Sequence, residues 1–436
     1  MSVVRHPSSG VHRNITYFVM FRILFSARFY YPVLAVLFLD YGLTLEQFAV
    51  LNAIWAAAIV ILEVPSGALA DRWGRKRLVQ LASWIMVAEM AVLVFVPLGN
   101  PWIVFAAFAV NRVLSGAAEA CASGADEALA YDSLKAEGRE SEWPAVLRRL
   151  MRWQSAAFVV AMLLGAAVYD PGLWNRVAGW AGVELGWTKA ETLRLPVVLT
   201  LATAVGACFV TSRMVEPPGA AAATTSVREV WAQILGAGRW ILGRPLIVAV
   251  LLAGLLHDSF IRLILTLESE YLRVIGWPVA SFGLIAAFAS GLGLLVSPLA
   301  AWMDKKDGLG WKFAVTTVVT TLGLAGMTWL VSRWGLGFVL VLQTAFGLVG
   351  YFLSQTLNSK VDSAHRATVL SFKGLSFNLG YGLIGLAYGA GHKAQGAGAG
   401  FLDSLSWLPW AFLGCMALVG LGSFYRKNAK EREGDV

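Results

Sequence analysis

Long apolar runs separated by short polar connections dominate the pattern of hydrophobic and polar positions along the chain. Each run is close to the roughly 20 residues that a helix needs to cross a bilayer, and none alternates strictly as a barrel strand does. The pattern predicts an all-α polytopic membrane protein with twelve transmembrane helices. We number the predicted spans one to twelve, in the order 15–39, 47–70, 78–98, 102–130, 150–169, 194–213, 246–270, 279–303, 313–331, 336–358, 367–390 and 405–425.

One connection is longer than the others and divides the spans into two six-helix bundles. It begins at Pro217-Pro218 and continues to Ser226-Val-Arg-Glu229, where Ser followed three positions later by Glu is a capping box. Apolar residues then recur at helical spacing, which predicts an amphipathic helix on the membrane surface. The predicted organisation is an N-terminal bundle at 1–213, a cytoplasmic linker with this helix at 214–245, and a C-terminal bundle with a short cytoplasmic tail at 246–436.

Composition supports a membrane protein. Hydrophobic residues make up 58% of the 436 positions and charged residues only 14%, whereas soluble domains carry roughly 25% charged residues. The net charge of +8 does not indicate nucleic-acid binding, because the basic residues lie in short clusters between apolar runs. The three cysteines are scattered inside apolar runs, so neither disulfides nor a metal site is expected, and no cofactor motif is present.

Lysine and arginine are distributed unequally between alternate connections. With the N-terminus placed in the cytoplasm, 24 of them lie on the inside and 6 on the outside. Cytoplasmic loops of membrane proteins carry such an excess of positive charge. The sequence therefore predicts that both termini are cytoplasmic.

The connection between spans two and three carries the most informative motif. Gly74 in this motif permits a tight reversal, Gly67 allows helices to approach closely, and Asp71 can accept hydrogen bonds at a helix N-terminus or pair with Arg75. The motif reads Gly67-Ala-Leu-Ala-Asp71-Arg72-Trp73-Gly74-Arg75-Lys76-Arg77. It resembles the signature loop of the major facilitator superfamily, G-x-x-x-D-R-x-G-R-K/R.

Further stretches extend this resemblance over most of the chain. Arg112-Val-Leu-Ser-Gly116 in span four resembles the R-x-x-x-G element of the family, and Glu63-Val-Pro65-Ser-Gly67 is similar to a subgroup of bacterial facilitators. The G-P-x-x-G-G run that marks many antiporters in span five is missing. The resemblance implies a secondary active transporter with a small-molecule substrate, acting by alternating access. It also implies a monomer in the plasma membrane, which is the inner membrane of a bacterium.

The resemblance assigns a cytoplasmic gate to the signature loop. In the family, this loop closes the cytoplasmic face together with an acidic residue near the end of span four. The acidic residue predicted here is Asp126, with Glu127 and Asp132 as alternatives. The gate residues expected on the loop are Gly67, Asp71, Arg72, Gly74 and Arg75.

Charged residues inside the apolar runs are the candidates for a substrate or proton site. A charge at the centre of a span costs about 2.5–3.5 kcal/mol, so each needs a partner, a cavity or a function. In the family, spans one, four and seven line the central cavity, and their charges are the predicted site. A structural role is the alternative for each, above all an i, i+4 ion pair on span seven. The predicted site residues are Arg28, Arg112, Glu119, Asp258 and Arg262.

The predicted function is proton-coupled efflux of small organic or amphipathic compounds, with the proton carried by Glu119 or Asp258. Uptake or exchange of an organic anion or metabolite is the alternative within the same fold. Four cationic residues favour it: Arg28, Arg112, Arg262 and Lys373. A non-transporting membrane sensor or scaffold is the alternative from another class. An enzyme is not expected, since no nucleophile and base occur in a recognisable arrangement. The expected partners are a small-molecule substrate, protons and the lipid bilayer.

Overall fold

The structure is a computed structural model that describes residues 11–217, 227–306, 308–329, 332–396, 398 and 400–433. Side chains are described for these residues except Asp71, Ser363, Ala364, Ala367 and those of 423–433. In this part of the chain the regular secondary structure is helical, with no strand. Eleven helical segments are long and apolar enough to cross a membrane. A further helix, Ser363–Gln395, occupies the predicted eleventh span, so the described helices fit twelve spans.

The spans have the following helix bounds. Span one consists of Asn14–Ser26 and Leu34–Asp40, and span four of Pro101–Ala122 and Ala125–Ala136. The other ten are Leu45–Trp73, Arg75–Phe95, Trp143–Tyr169, Leu195–Ser212, Pro245–Val274, Phe282–Asp304, Leu309–Trp329, Leu336–Lys360, Ser363–Gln395 and Leu408–Glu433. Short helices outside the spans are Pro171–Trp180, Lys189–Thr192, Val227–Leu242 and Phe401–Leu405.

Span one is interrupted, although its sequence predicts one continuous run. The helix stops at Ser26 and resumes after a 3-10 turn that contains Pro32, and the residue before a proline disfavours the helical conformation. The freed backbone groups find partners on span six. The Phe29 N–H donates to Thr200 Oγ1 at 3.0 Å, and Thr203 Oγ1 donates to the Ala27 carbonyl at 3.4 Å.

Glycine on span five makes room for the same interruption. The Phe29 carbonyl oxygen lies directly against Gly165, where an added Cβ would collide with it. Any larger residue at this position would have to displace backbone, which is not flexible. The interruption is therefore supported from two neighbouring helices.

The described residues group into two compact units, each made of the described residues within three segments of the chain. The first comprises Met1–Leu43, Ala57–Glu229 and Val279–Ala287. Phe21, Met86 and Ala118 belong to one of its apolar cores. The segment Val279–Ala287 packs on span five so closely that an added Cβ at Gly283 would collide with the Met162 carbonyl.

The second unit comprises Thr44–Ala56, Val230–Pro278 and Phe288–Val436. Its core includes Ile247, Leu353 and Phe377 from spans seven, ten and eleven. The segment Thr44–Ala56 packs on span eleven, where a Cβ added to Gly389 would lie 3.0 Å from the Ala49 Cβ.

A helix from Val227 to Leu242, which we call the surface helix, is present in the predicted linker. Its buried residues Ile234, Ala237, Gly238 and Ile241 follow helical spacing, so one face packs on the protein. The predicted capping box includes Ser226, and this residue and Pro218 lie outside the described part of the chain.

Candidate functional site

Two of the predicted site residues, Arg28 and Arg112, belong to a buried network in the first unit. Arg28 Nη1 lies 2.9 Å from Glu89 Oε2, and the two side chains are only 4% and 0% exposed. Asn111 Nδ2 donates to the Glu89 carbonyl oxygen at 2.9 Å. Arg112 donates from Nε and Nη2 to Asn111 Oδ1, at 3.0 and 2.7 Å. We call Arg28, Glu89, Asn111 and Arg112 the buried network.

The buried network joins spans one, three and four by charge-assisted hydrogen bonds, which are stronger than neutral ones. Aromatic rings close it off, with Phe25 and Phe38 each 5.3 Å from an arginine Cζ. Glu89 and Asn111 are not among the residues predicted from the sequence. The pattern that points to Glu89 is a lone acidic residue in the middle of an apolar run, where a charge needs a partner.

Glu119, also predicted, does not join the buried network. Its side chain is exposed, and its electrostatic neighbour is Glu63 on span two, which is half-buried. In the described part of the chain, neither carboxylate makes an ion pair or a hydrogen bond. Ser66 Oγ donates to the Ala120 carbonyl at 2.7 Å and holds spans two and four together beside them. We call Glu63 and Glu119 the carboxylate pair.

The predicted residues of span seven line a cavity within the second unit. This polar cavity has a volume of about 480 Å³, and Asp258, Arg262, Lys373 and Asn378 contribute its polar groups. Arg262 donates to Asp258 Oδ1 at 2.7 Å and to Asn378 Oδ1 at 3.0 Å. The arginine and aspartate side chains are 27% and 12% exposed, so water or a ligand can reach them.

Lys373 gives the polar cavity an excess of positive charge. Its Nζ lies 5.3 Å from the ring centroid of Phe377, and within the described residues it makes no ion pair or hydrogen bond. Two cations thus share one anion, Asp258. A negatively charged group is the complement that such a cavity lacks.

The signature loop forms a tight turn between spans two and three. Gly74 has φ of +95°, a conformation that glycine adopts without strain. The carboxylate of Glu216, beyond span six, accepts hydrogen bonds from the backbone N–H groups of Arg75 and Lys76 at 3.0 and 2.8 Å. An acidic group at a helix N-terminus is stabilised by the helix dipole. Glu216 is absent from the sequence prediction, which named Asp71 for such a contact, and the Asp71 side chain is not described.

The acidic residues near the end of span four contact two different arginines. Arg75 pairs with Asp132, one of the two predicted alternatives, and also donates to the Ala128 carbonyl at 3.2 Å. Asp126, the first choice from the sequence, instead lies 3.1 Å from Arg22 Nη1 on span one. The glycine turn at Gly124 separates the two helices of span four and changes the direction of the residues after it.

Two other predicted gate residues make few contacts. The close helix approach expected at Gly67 is not found, because a Cβ added there would meet no described atom within 4 Å. The Arg72 side chain is exposed. The contacts of the loop therefore concentrate on Gly74 and Arg75.

Comparison with solved structures identifies the fold. The nucleoside transporter NupG superposes with a TM-score of 0.70 at 13% identity, covering 96% of this chain and 99% of that chain. A bacterial homolog of the human lysosomal transporter Spinster, in an inward-facing and unoccupied conformation, gives 0.67 at 15% identity, covering 96% and 97%. A D-xylose-proton symporter gives 0.67 at 13% identity, covering 95% and 97%.

Comparison at the sequence level identifies the family. No curated protein matches the chain significantly, but the model of the Major Facilitator Superfamily matches residues 16–385. The predicted twelve-helix fold and the predicted family are confirmed. The protein is a multi-pass membrane transporter of small molecules rather than an enzyme. By this match over most of its length, the chain belongs to the Major Facilitator Superfamily.

Proposed function

We propose that this transporter works by alternating access and couples the export of small organic or amphipathic compounds to proton movement. The carboxylate pair is the observation that carries the proposal. Glu63 and Glu119 are electrostatic neighbours on spans two and four, and no described cation neutralises either of them. Acidic groups inside membrane spans mark proton pathways in transporters.

The chemistry of the carboxylate pair suits a proton carrier. Two neighbouring carboxylates repel each other when both are ionised, and one bound proton removes that repulsion. Glu119 is exposed, so the described protein does not enclose its carboxylate. The D-xylose-proton symporter, which has this fold, supports the compatibility of the fold with proton coupling.

Inverted membrane vesicles with an imposed pH gradient test this proposal. A panel of fluorescent organic cations, anions and neutral compounds supplies the probes, and gradient-driven uptake into the vesicles is measured. We expect Glu119→Gln and Glu63→Gln each to lower this uptake at least about tenfold, the size expected for loss of a positioned proton carrier. Glu184→Gln, which removes an exposed carboxylate of the same unit, is the matched control. Uptake with unchanged pH dependence in both glutamate variants contradicts proton coupling by this pair.

The polar cavity favours a second candidate function, uptake or exchange of an organic anion or metabolite. Arg262 and Lys373 outnumber the one carboxylate there, so an anionic group would be bound by two cations. Counterflow of radiolabelled mono- and dicarboxylates in proteoliposomes measures this activity without any proton gradient. Arg262→Gln and Lys373→Gln should abolish it, while the exposed Lys135→Gln should not. Counterflow that is equal in all three variants contradicts this candidate.

We propose cytoplasmic termini, a plasma-membrane location and the organisation predicted from the sequence, with bundles at 1–213 and 246–436 and the linker at 214–245. The distribution of Lys and Arg, 24 inside and 6 outside, supports the orientation. We assign the cytoplasmic gate to Gly74, Arg75 and their partners Asp132 and Glu216.

Labelling of single cysteines introduced at Arg139 and Arg176 of a cysteine-free variant tests the orientation. A membrane-impermeant reagent added to intact cells should reach position 176 and spare position 139.

A further inference from the structure

A second cavity of the second unit lies between the surface helix and spans seven and eleven. This apolar cavity has a volume of about 440 Å³. Leu242, Leu251, Leu255 and Phe372 are among its apolar lining residues. Of the described residues that line it, Arg239, Lys373 and Ser376 carry a polar side chain. A ligand that fills it must offer mostly apolar surface.

The apolar cavity opens at the edge of the surface helix. Leu235 and Leu242 line it and are 61% and 68% exposed. The helix itself is held against span eleven, since a Cβ at Gly238 would lie 3.0 Å from Phe372 and the Trp240 ring stacks on His365 at 5.0 Å. Apolar compounds concentrate in the bilayer that surrounds such exposed leucines, so they reach this opening from the membrane.

The apolar cavity and the polar cavity have two lining residues in common, Lys373 and Phe377. The side chain of Lys373 therefore stands where the two cavities adjoin. Apolar surface lies on one side of it, and Arg262, Asp258 and Asn378 lie on the other. A molecule with a charged end and an apolar end matches this arrangement along its length.

We propose that the two cavities together bind a single-chain anionic amphiphile as the transported compound. Its carboxylate or other anionic head lies in the polar cavity beside Lys373 and Arg262, and its alkyl chain lies in the apolar cavity against Leu251, Leu255 and Phe372. This inference rests on the proposed transport of organic compounds and names their class. It also accounts for both the apolar lining and the unpaired cation with one ligand.

Other ligand classes leave part of the arrangement unused. A short polar anion fills only the polar cavity, whereas an organic cation meets two positive groups and an aspartate already paired with Arg262. A membrane phospholipid would place its head group at Arg239 on the surface helix and would not need Lys373. Substitutions of Lys373 and Arg239 distinguish these ligand classes.

Displacement of radiolabelled dodecanoate from the purified full chain in lipid nanodiscs tests the inference. The competitors are butanoate, octanoate, dodecanoate and dodecyltrimethylammonium, with no proton gradient present. Burial of each added methylene should tighten carboxylate binding by up to about fourfold. Loss of a charged hydrogen-bond donor in Lys373→Gln should weaken all carboxylates by roughly tenfold or more, and Lys373→Arg should restore binding.

A tryptophan that fills the apolar cavity gives the sharpest comparison. Leu242→Trp should weaken dodecanoate and leave butanoate unchanged. Leu246→Trp is the matched control, because Leu246 is also exposed and does not line this cavity. Partition of dodecanoate into the nanodisc lipid is the same in both variants, so the ratio of their dodecanoate affinities reports on the site alone.

Four outcomes would overturn the inference. Two concern the ligands: equal affinity for butanoate and dodecanoate, or displacement by dodecyltrimethylammonium as strong as by dodecanoate. Two concern the variants: an equal loss of dodecanoate affinity in Leu242→Trp and Leu246→Trp, or a loss of affinity in Arg239→Gln without one in Lys373→Gln. The last of these identifies a phospholipid site. Carboxylates that bind as expected while Glu119→Gln leaves vesicle uptake unchanged support this site and contradict only the proposed proton coupling. Absence of carboxylate binding together with pH-driven uptake of other compounds overturns this inference alone.

Discussion

The buried network of the first unit and the polar cavity of the second contain similar charges in opposite surroundings. Arg28 and Glu89 are sealed from solvent and joined across two helices, whereas Arg262 and Asp258 lie on one helix and remain partly exposed. Arg28 lies within the interruption of span one, whereas the helix that carries Arg262 is continuous for 30 residues.

A charge within a membrane span therefore does not by itself indicate a ligand site. A charge pair that is closed off and shared between helices holds those helices together. A pair on one helix that faces a cavity leaves hydrogen-bonding capacity for a ligand. The substrate proposal therefore depends on the second unit, and the buried network is assigned to the structure of the first.

Removal of Arg28 should have the largest effect on stability. Arg28→Met leaves the Glu89 carboxylate buried without a cation, and we expect a loss of about 3–5 kcal/mol in the free energy of unfolding. Thermal unfolding in detergent measures it. Arg262→Met is the matched control, and we expect it to cost about 1 kcal/mol or less because its pair is partly exposed. Equal losses of unfolding free energy in both variants would contradict the difference between the buried network and the polar cavity.

The interruption of span one provides the second test. We expect Gly165→Ala to cost about 1–3 kcal/mol, because the added methyl meets the rigid Phe29 carbonyl. Gly254→Ala on span seven meets the ends of two side chains rather than backbone, Leu353 at 2.9 Å and Phe377 at 3.3 Å, and these can move. We expect this control to cost less than Gly165→Ala in the same unfolding measurement. A larger loss in Gly254→Ala than in Gly165→Ala would show that the Phe29 backbone can move without destabilising the protein.

Removal of the unpaired cation should have the smallest effect. Lys373→Met breaks no ion pair within the described residues, and we expect the free energy of unfolding to change by less than about 0.5 kcal/mol. The same variant should lose binding of anionic amphiphiles. A melting temperature lowered as far as in Arg28→Met would instead make Lys373 a structural residue.

The hydrophobic pattern was sufficient to predict the fold. Helices occur at all twelve predicted spans, because the bilayer requires long apolar helices whatever their packing. The interruption of span one was not predicted, since two arginines and one proline hardly change the apolar character of 15–39. Its stability depends on Thr200, Thr203 and Gly165, which are far away in the sequence.

Partners of charged residues were harder to predict than the residues themselves. Arg28 and Glu89 are 61 positions apart, and spacing within one helix does not determine how two helices face each other. Asp126 and Asp132 lie on the same helix after Gly124, yet among the described contacts Arg75 pairs with Asp132 and Arg22 with Asp126. The i, i+4 pair of span seven could be anticipated because both residues share one helix. The functional roles of all these residues remain predictions.

The hydrogen bonds of Glu216 have a consequence for biosynthesis. The cap of span three is supplied by a residue 141 positions after Arg75, so this residue has not yet been synthesised when span three enters the membrane. At roughly 5–20 residues per second, its arrival takes about 7–28 s. During that interval the backbone N–H groups of Arg75 and Lys76 lack this acceptor. The turn between spans two and three is thus completed only after span six has been made.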